Sequence, residues 1–90
     1  MLVARRFLIS GRVQGVGFRY FVEARAAAEG VQGWVRNLPD GRVEAQLEGD
    51  ETSVDRIESA LWRGPSGAVV DDVAWKATAP SGRATGFSIR

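Results

Sequence analysis

The sequence predicts an α+β fold, a mainly antiparallel sheet in a two-layer sandwich with two helices on one face. Three observations carry this expectation. Alternating and helical patterns succeed one another in the order β-α-β-β-α-β, with one short strand at the end. The most regular alternating segment, residues 42–48, has only polar side chains on one face. Finally, 90 residues make one small domain that buries about 60–65% of the unfolded chain's surface, and are too few for two cores. A single domain over residues 1–90 is expected.

Val3 to Val13 alternates, with Val3, Phe7 and Ile9 on one face and Arg6, Ser10 and Arg12 on the other, a half-buried strand in which Leu8 interrupts the polar face. Phe18 to Glu29 is alanine-rich, with apolar Phe18, Phe21, Val22 and Ala28, and Gly30 stands where a helix ends. Arg25 and Glu29 project into its apolar arc, so they are expected at its edge and paired at i,i+4. Val31 to Leu38 forms a second strand around Trp34 and Val35, and Leu38-Pro39-Asp40-Gly41 is a turn signal. The hairpin continues through Arg42 to Glu48, turning Val43, Ala45 and Leu47 to one side and leaving the other face wet. Asp50 or Thr52 caps a second helix in which Val54, Ile57 and Leu61 fall at i, i+3 and i+7, and Gly64-Pro65 ends it. Val69 to Thr78 is a fourth strand carrying Val73 and Trp75, and Pro80-Ser81-Gly82 turns toward a short strand through Phe87 and Ile89. Two successive βαβ units and a sheet with one polar face specify a ferredoxin-like sandwich.

Composition narrows the function. With 44% apolar and 26% charged residues the chain is an ordinary globular protein, and no run approaches the ~18 apolar residues of a membrane span. The first ten residues do not read as a secretory leader, because an arginine pair interrupts their apolar residues and no longer apolar run follows before the glycine loop. There is no cysteine, hence no disulfide framework, thiolate metal site or cysteine nucleophile, which is compatible with the cytoplasm. There is no histidine either, which removes the commonest general base and the commonest metal ligand together. Net charge is only +1, although eleven of the twelve basic residues are arginine, so their placement matters more than their sum.

The stretch Gly11-Arg12-Val13-Gln14-Gly15-Val16-Gly17-Phe18-Arg19, between the first strand and first helix, is the candidate functional segment. Successive amides in a tight glycine turn at a helix N-terminus make an anion-binding concavity, here with the guanidinium fork of Arg19 beside it. A phosphate-type ligand follows from that combination. It is not a nucleotide signature: no Gly-Lys-Ser/Thr is present, and Tyr20 stands where a dinucleotide fingerprint needs glycine. In a split βαβ unit the first two strands run parallel with the third between them, so Asn37 ends beside the glycine loop. Two strand spacings, roughly 9–10 Å, separate them, a gap that the side chains of Arg19 and Asn37 can close. The same edge should collect Arg12, Arg36 and Arg42, and Arg90 if the last strand runs antiparallel to the fourth. The second strand-to-helix junction, Gly49-Asp50-Glu51, is acidic and unsuited to phosphate. Asn37 as a turn former and Arg19 as a surface residue remain alternative readings.

The segments Gly11-Arg12-Val13-Gln14-Gly15-Val16-Gly17-Phe18-Arg19-Tyr20 and Gly33-Trp34-Val35-Arg36-Asn37-Leu38-Pro39-Asp40-Gly41-Arg42-Val43-Glu44 resemble the two signature segments of the acylphosphatase family, and the ending Gly86-Phe87-Ser88-Ile89 agrees. The resemblance spans nearly the whole chain. It implies hydrolysis of the carboxyl–phosphate bond of acyl phosphates to a carboxylate and inorganic phosphate, without metal or organic cofactor. By position, Arg19 would bind the phosphoryl group with the backbone amides of Gln14, Gly15, Val16, Gly17 and Phe18, and Asn37 would orient the attacking water. The expected partner is then a small-molecule acyl phosphate, with no nucleic acid and no membrane, for a cytoplasmic monomer. The alternative is a non-enzymatic ferredoxin-like ligand- or RNA-binding module. Against it, the run Arg42, Glu44, Gln46, Glu48 on the open face has no aromatic residue and carries two acids. A domain of a larger carbamoyl-transfer protein is a second rival, against which the extent of the chain at both ends favours a free-standing enzyme.

Overall fold

The computed structural model describes residues 1–82 and 86–90. Five strands, β1 (Leu2–Arg12), β2 (Gln32–Asn37), β3 (Val43–Asp50), β4 (Val69–Thr78) and β5 (Phe87–Ile89), form one sheet in the order β4-β1-β3-β2-β5. Strand β1 pairs antiparallel with β3 and β4, β2 pairs antiparallel with β3, and β5 runs parallel to β2. Helices α1 (Phe18–Glu29) and α2 (Glu51–Arg63) complete the expected ferredoxin-like sandwich. With β3 inserted between the parallel β1 and β2, the carboxyl ends of those two strands open on the same edge of the sheet. Strand β5 is antiparallel to β4 without touching it and delivers Arg90 to that edge too.

The core follows from the two periodicities meeting. Phe7 and Ile9 of β1, Val35 of β2, and Val43, Ala45 and Leu47 of β3 share one face. They pack with Phe18, Val22 and Ala26 of α1 and with Val54, Ile57 and Leu61 of α2. Each such large side chain stabilises the fold by about 1.5–3 kcal/mol relative to exposure. Asp50 is the cap of α2, its carboxylate accepting from the Thr52 N–H at 3.2 Å, while Glu51 in the first turn and Arg63 in the last complement the helix dipole.

Two local expectations are corrected by partners remote in sequence. Glu29 pairs with Arg56 of α2 rather than with Arg25: Nε and Nη2 of Arg56 donate to its carboxylate at 2.8–3.0 Å. Arg56 offers a two-pronged fork, whereas an arginine four residues before a glutamate is the weaker helical order. Arg25 instead lies over the Phe21 ring, 5.2 Å from its centroid. The outward face of β3 is not wet either, since Glu44 and Glu48 are only 4% and 8% exposed. Arg6 and Arg36 cover Glu44 from β1 and β2, at 3.3 and 2.6 Å. The chain returning from β4 covers Glu48, donating from the main-chain N–H groups of Ser81 and Gly82, each at 2.9 Å.

Arg5 occupies an inward position of β1 that its polarity would disfavour. It is held there by Asp55, Glu51 and Glu58 of α2 at 2.7, 3.4 and 3.7 Å, with its guanidinium 4.4 Å over Trp75. The open face carries one aromatic side chain contributed by β2, Trp34, whose ring is flanked by the guanidinium groups of Arg90 at 4.6 Å and Arg36 at 5.4 Å.

Candidate active site

The segment between β1 and α1 is built for sharp reversal. Gly15 and Gly17 have φ of 74° and 81°, in the left-handed region that other residues enter at a cost of about 1–2 kcal/mol. Gly17 is the N-cap of α1 and supplies no side-chain acceptor, and the first helical N–H to find a main-chain partner is that of Phe21, bonded to Gly17 O at 3.0 Å. Among the described residues, the amides from Gln14 to Tyr20 therefore donate to no other main-chain group. Aligned donors at a helix N-terminus with the macrodipole behind them attract an anion.

Arg19 is the second residue of α1, placed one step past this turn. As a residue it is half-buried, and its contact with the rest of the chain is a long, exposed one, Nη1 donating to Arg90 O at 3.5 Å. Asn37 ends β2, opposite Val43 of β3, and its carboxamide is half-buried without a hydrogen-bond partner among the described residues. A cleft of about 80 Å³ is lined together by Val13, Gly15, Gly17, Phe18, Arg19, Tyr20 and Asn37. That volume is far below the ~300 Å³ at which drug-sized ligand pockets begin, and suits a small polyatomic anion.

Of the residues singled out in the sequence, Gly15, Gly17, Phe18, Arg19 and Asn37 thus meet at one cleft, while Gln14 and Val16 belong to the loop but flank it. The other arginines expected at this edge divide differently. Arg36 is engaged by Glu44, and Arg42 by Asp40 at 2.8 Å. The Asp40 carboxyl is held below its usual range, chiefly by the Arg42 main-chain N–H at 3.1 Å and further by the Arg42 guanidinium. Arg12 is exposed with no partner among the described residues. Arg19 is consequently the cation on the cleft wall.

One contact was not legible in the sequence. The Gln14 side chain reaches across to the β2–β3 hairpin, its Nε2 donating to Leu38 O at 2.7 Å and Arg42 O at 3.0 Å. The available hint is slight: Gln14 is a long amide among glycine, valine and arginine neighbours.

A family model described as Acylphosphatase matches residues 5–89. The chain is 55% identical over 73 residues to an acylphosphatase of Nitrosococcus oceani, a match covering 81% of this chain and 82% of that one. Among solved structures, an acylphosphatase from Bacillus subtilis superposes with a TM-score of 0.94 at 39% identity, covering 100% of this chain and 99% of the other. An acylphosphatase from Coxiella burnetii gives 0.95 at 34% identity, covering 99% and 93%.

Proposed function

The chain belongs to the acylphosphatase family, hydrolases acting on acyl phosphates, and from that premise we propose how its residues divide the reaction. Arg19 binds the phosphoryl oxygens with its guanidinium fork, together with the backbone amides of Gln14, Gly15, Val16, Gly17 and Phe18. The Asn37 carboxamide oxygen accepts a hydrogen bond from a water and holds it in line with phosphorus, opposite the leaving group. The water oxygen forms a new bond to phosphorus as the bond to the acyl oxygen breaks. The electron pair of that bond leaves with the carboxylate, and the water's proton passes to a phosphoryl oxygen of the substrate itself.

The physical chemistry fits the residues available. The departing carboxylate is the conjugate base of an acid with pKa near ~4, so it leaves at neutral pH without a general acid, and the lack of histidine is no obstacle. Phosphoryl transfer through a loose transition state asks mainly for positioning and for stabilisation of the equatorial oxygens, which one guanidinium and several amides supply. No covalent intermediate is required.

What carries the reading is the convergence of Arg19, the glycine turn and Asn37 on one cleft of about 80 Å³. The reading takes residues 1–90 as one domain, supported by the hydrophobic core that joins both helices to the sheet among the described residues, acting in the cytoplasm as a monomer on a small molecule. The reading includes no nucleic-acid partner. The test is phosphate release from several acyl phosphates and from a simple phosphomonoester, run in ¹⁸O-water with wild type, Arg19→Ala and Asn37→Ala. Label in phosphate and none in the carboxylate is expected, with the phosphomonoester a poor substrate. A trapped phosphoenzyme, or label in the carboxylate, overturns the mechanism.

A further inference from the structure

The two halves of the cleft come from separate pieces of chain. Arg19 and the glycine turn follow β1, whereas Asn37 sits at the mouth of the β2–β3 hairpin. Among the described residues, no main-chain hydrogen bond joins segment 13–17 to segment 37–42; the joining bonds are the two from Gln14 Nε2. Both acceptors are carbonyl oxygens, which cannot donate, so the NH₂ side of the amide must face them and both of its hydrogens are spent. The acceptors are also well chosen. Leu38 is peptide-bonded to Asn37, and Arg42 O already receives the Leu38 N–H at 2.8 Å, the bond that closes the hairpin mouth. One planar group therefore grips both sides of the turn that presents Asn37.

We propose that the Gln14 side chain is a positioning residue that sets the Asn37 carboxamide at its working distance from the phosphoryl site. The inference rests on the reading of Asn37 given above. A water must sit within about 3–3.5 Å of phosphorus and in line with the leaving group, and a displacement near 1 Å costs on the order of a hundredfold in rate. Arg19 and the loop amides lie on the same segment as Gln14, so cutting the bridge to the hairpin leaves phosphoryl binding in place while letting Asn37 drift. A purely structural staple would instead lower stability without separating these two properties.

The test is a double-mutant cycle of Gln14→Met, which keeps length without donors, with Asn37→Ala, assayed well below the melting temperature. Gln14→Met is expected to lower kcat about 10- to 100-fold while the inhibition constant of inorganic phosphate changes less than about threefold. In the Asn37→Ala background the same substitution should cost less than about twofold, because the residue it acts through is gone. Gln14→Asn, which retains the amide but is one methylene too short to reach both carbonyls, is a second variant should the methionine form fold poorly; its kcat should fall likewise. Additive losses with Asn37→Ala itself impaired, a parallel loss of phosphate affinity, or wild-type kcat in the Gln14 variants overturn the positioning role alone. Wild-type kcat in Asn37→Ala overturns the reading of Asn37 and this inference with it.

Discussion

Replacing Arg19 with alanine tests the proposed phosphoryl contact directly, because the guanidinium holds so little else together. Its contact with Arg90 O, at 3.5 Å, is at the outer limit of a hydrogen bond and exposed to water. Two charge-assisted hydrogen bonds to phosphoryl oxygens, at about 1.5–3 kcal/mol each, amount to about 3–6 kcal/mol of transition-state stabilisation. Arg19→Ala should therefore lower kcat/KM by about 10²- to 10⁴-fold. Its melting temperature should move by no more than about 2 °C, where a full kcal/mol would move it by about 4–8 °C. The assay is initial-rate phosphate release from benzoyl phosphate, corrected for spontaneous hydrolysis, with inorganic phosphate as inhibitor to read ground-state affinity. Phosphate affinity should fall with turnover, since in the proposed role the fork touches both ground and transition states. Arg19→Lys restores the charge but not the paired geometry and should lie between. An alanine variant within threefold of wild-type kcat/KM would refute the reasoning, as would a loss explained by a large fall in melting temperature.

Asn37→Ala should lower kcat by on the order of a hundredfold while the inhibition constant of phosphate, measured in the same assay, changes less than about threefold. Arg5→Met keeps an aliphatic stem against Trp75 but leaves Glu51, Asp55 and Glu58 facing one another. Since those carboxylates are 46%, 58% and 26% exposed, solvent limits the loss of stability to about 1–3 kcal/mol in urea unfolding. The Glu48 carboxyl is held below its ordinary 4.5, chiefly by the Ser81 main-chain N–H, then by the Gly82 N–H and Ser81 hydroxyl, against the opposing effect of desolvation. A carboxyl depressed on folding contributes stability that is fully present above its unfolded value and is lost as pH falls through the folded one. Glu48→Gln should thus lower the melting temperature near pH 7, and the two proteins should converge as acid passes below that depressed value; a constant gap down to pH 2 would count against it.

Residues whose partners are local in sequence were the readable ones. The helix from Phe18 to Glu29 and the strand from Val69 to Thr78 have the boundaries expected from periodicity and glycine ends. The juxtaposition of Arg19 and Asn37 followed from strand order alone, because the carboxyl ends of parallel strands share an edge. Arg5 was not readable, since an arginine in an inward register is tolerable only because three acids some 50 residues later lie above it. The same holds for Glu29, which found Arg56 on another helix, and for Glu44 and Glu48, buried by cations and amides that no pattern on β3 announces. The Gln14 bridge spans 24 and 28 positions and obeys no period. Propensity and alternation report which way a side chain faces; what waits there is decided by the rest of the chain.

The insertion of β3 between β1 and β2 has a kinetic consequence. The strand synthesised last of the three is the one that sets the separation of the other two, so neither early helix formation nor collapse of the first forty residues assembles a competent catalyst. Such non-local pairing must wait for loop closure, which slows folding relative to helical proteins of similar size. In a refolding experiment, the return of hydrolysis should lag the return of helical circular dichroism and coincide with the completed sheet, making turnover a clock for the final step of assembly.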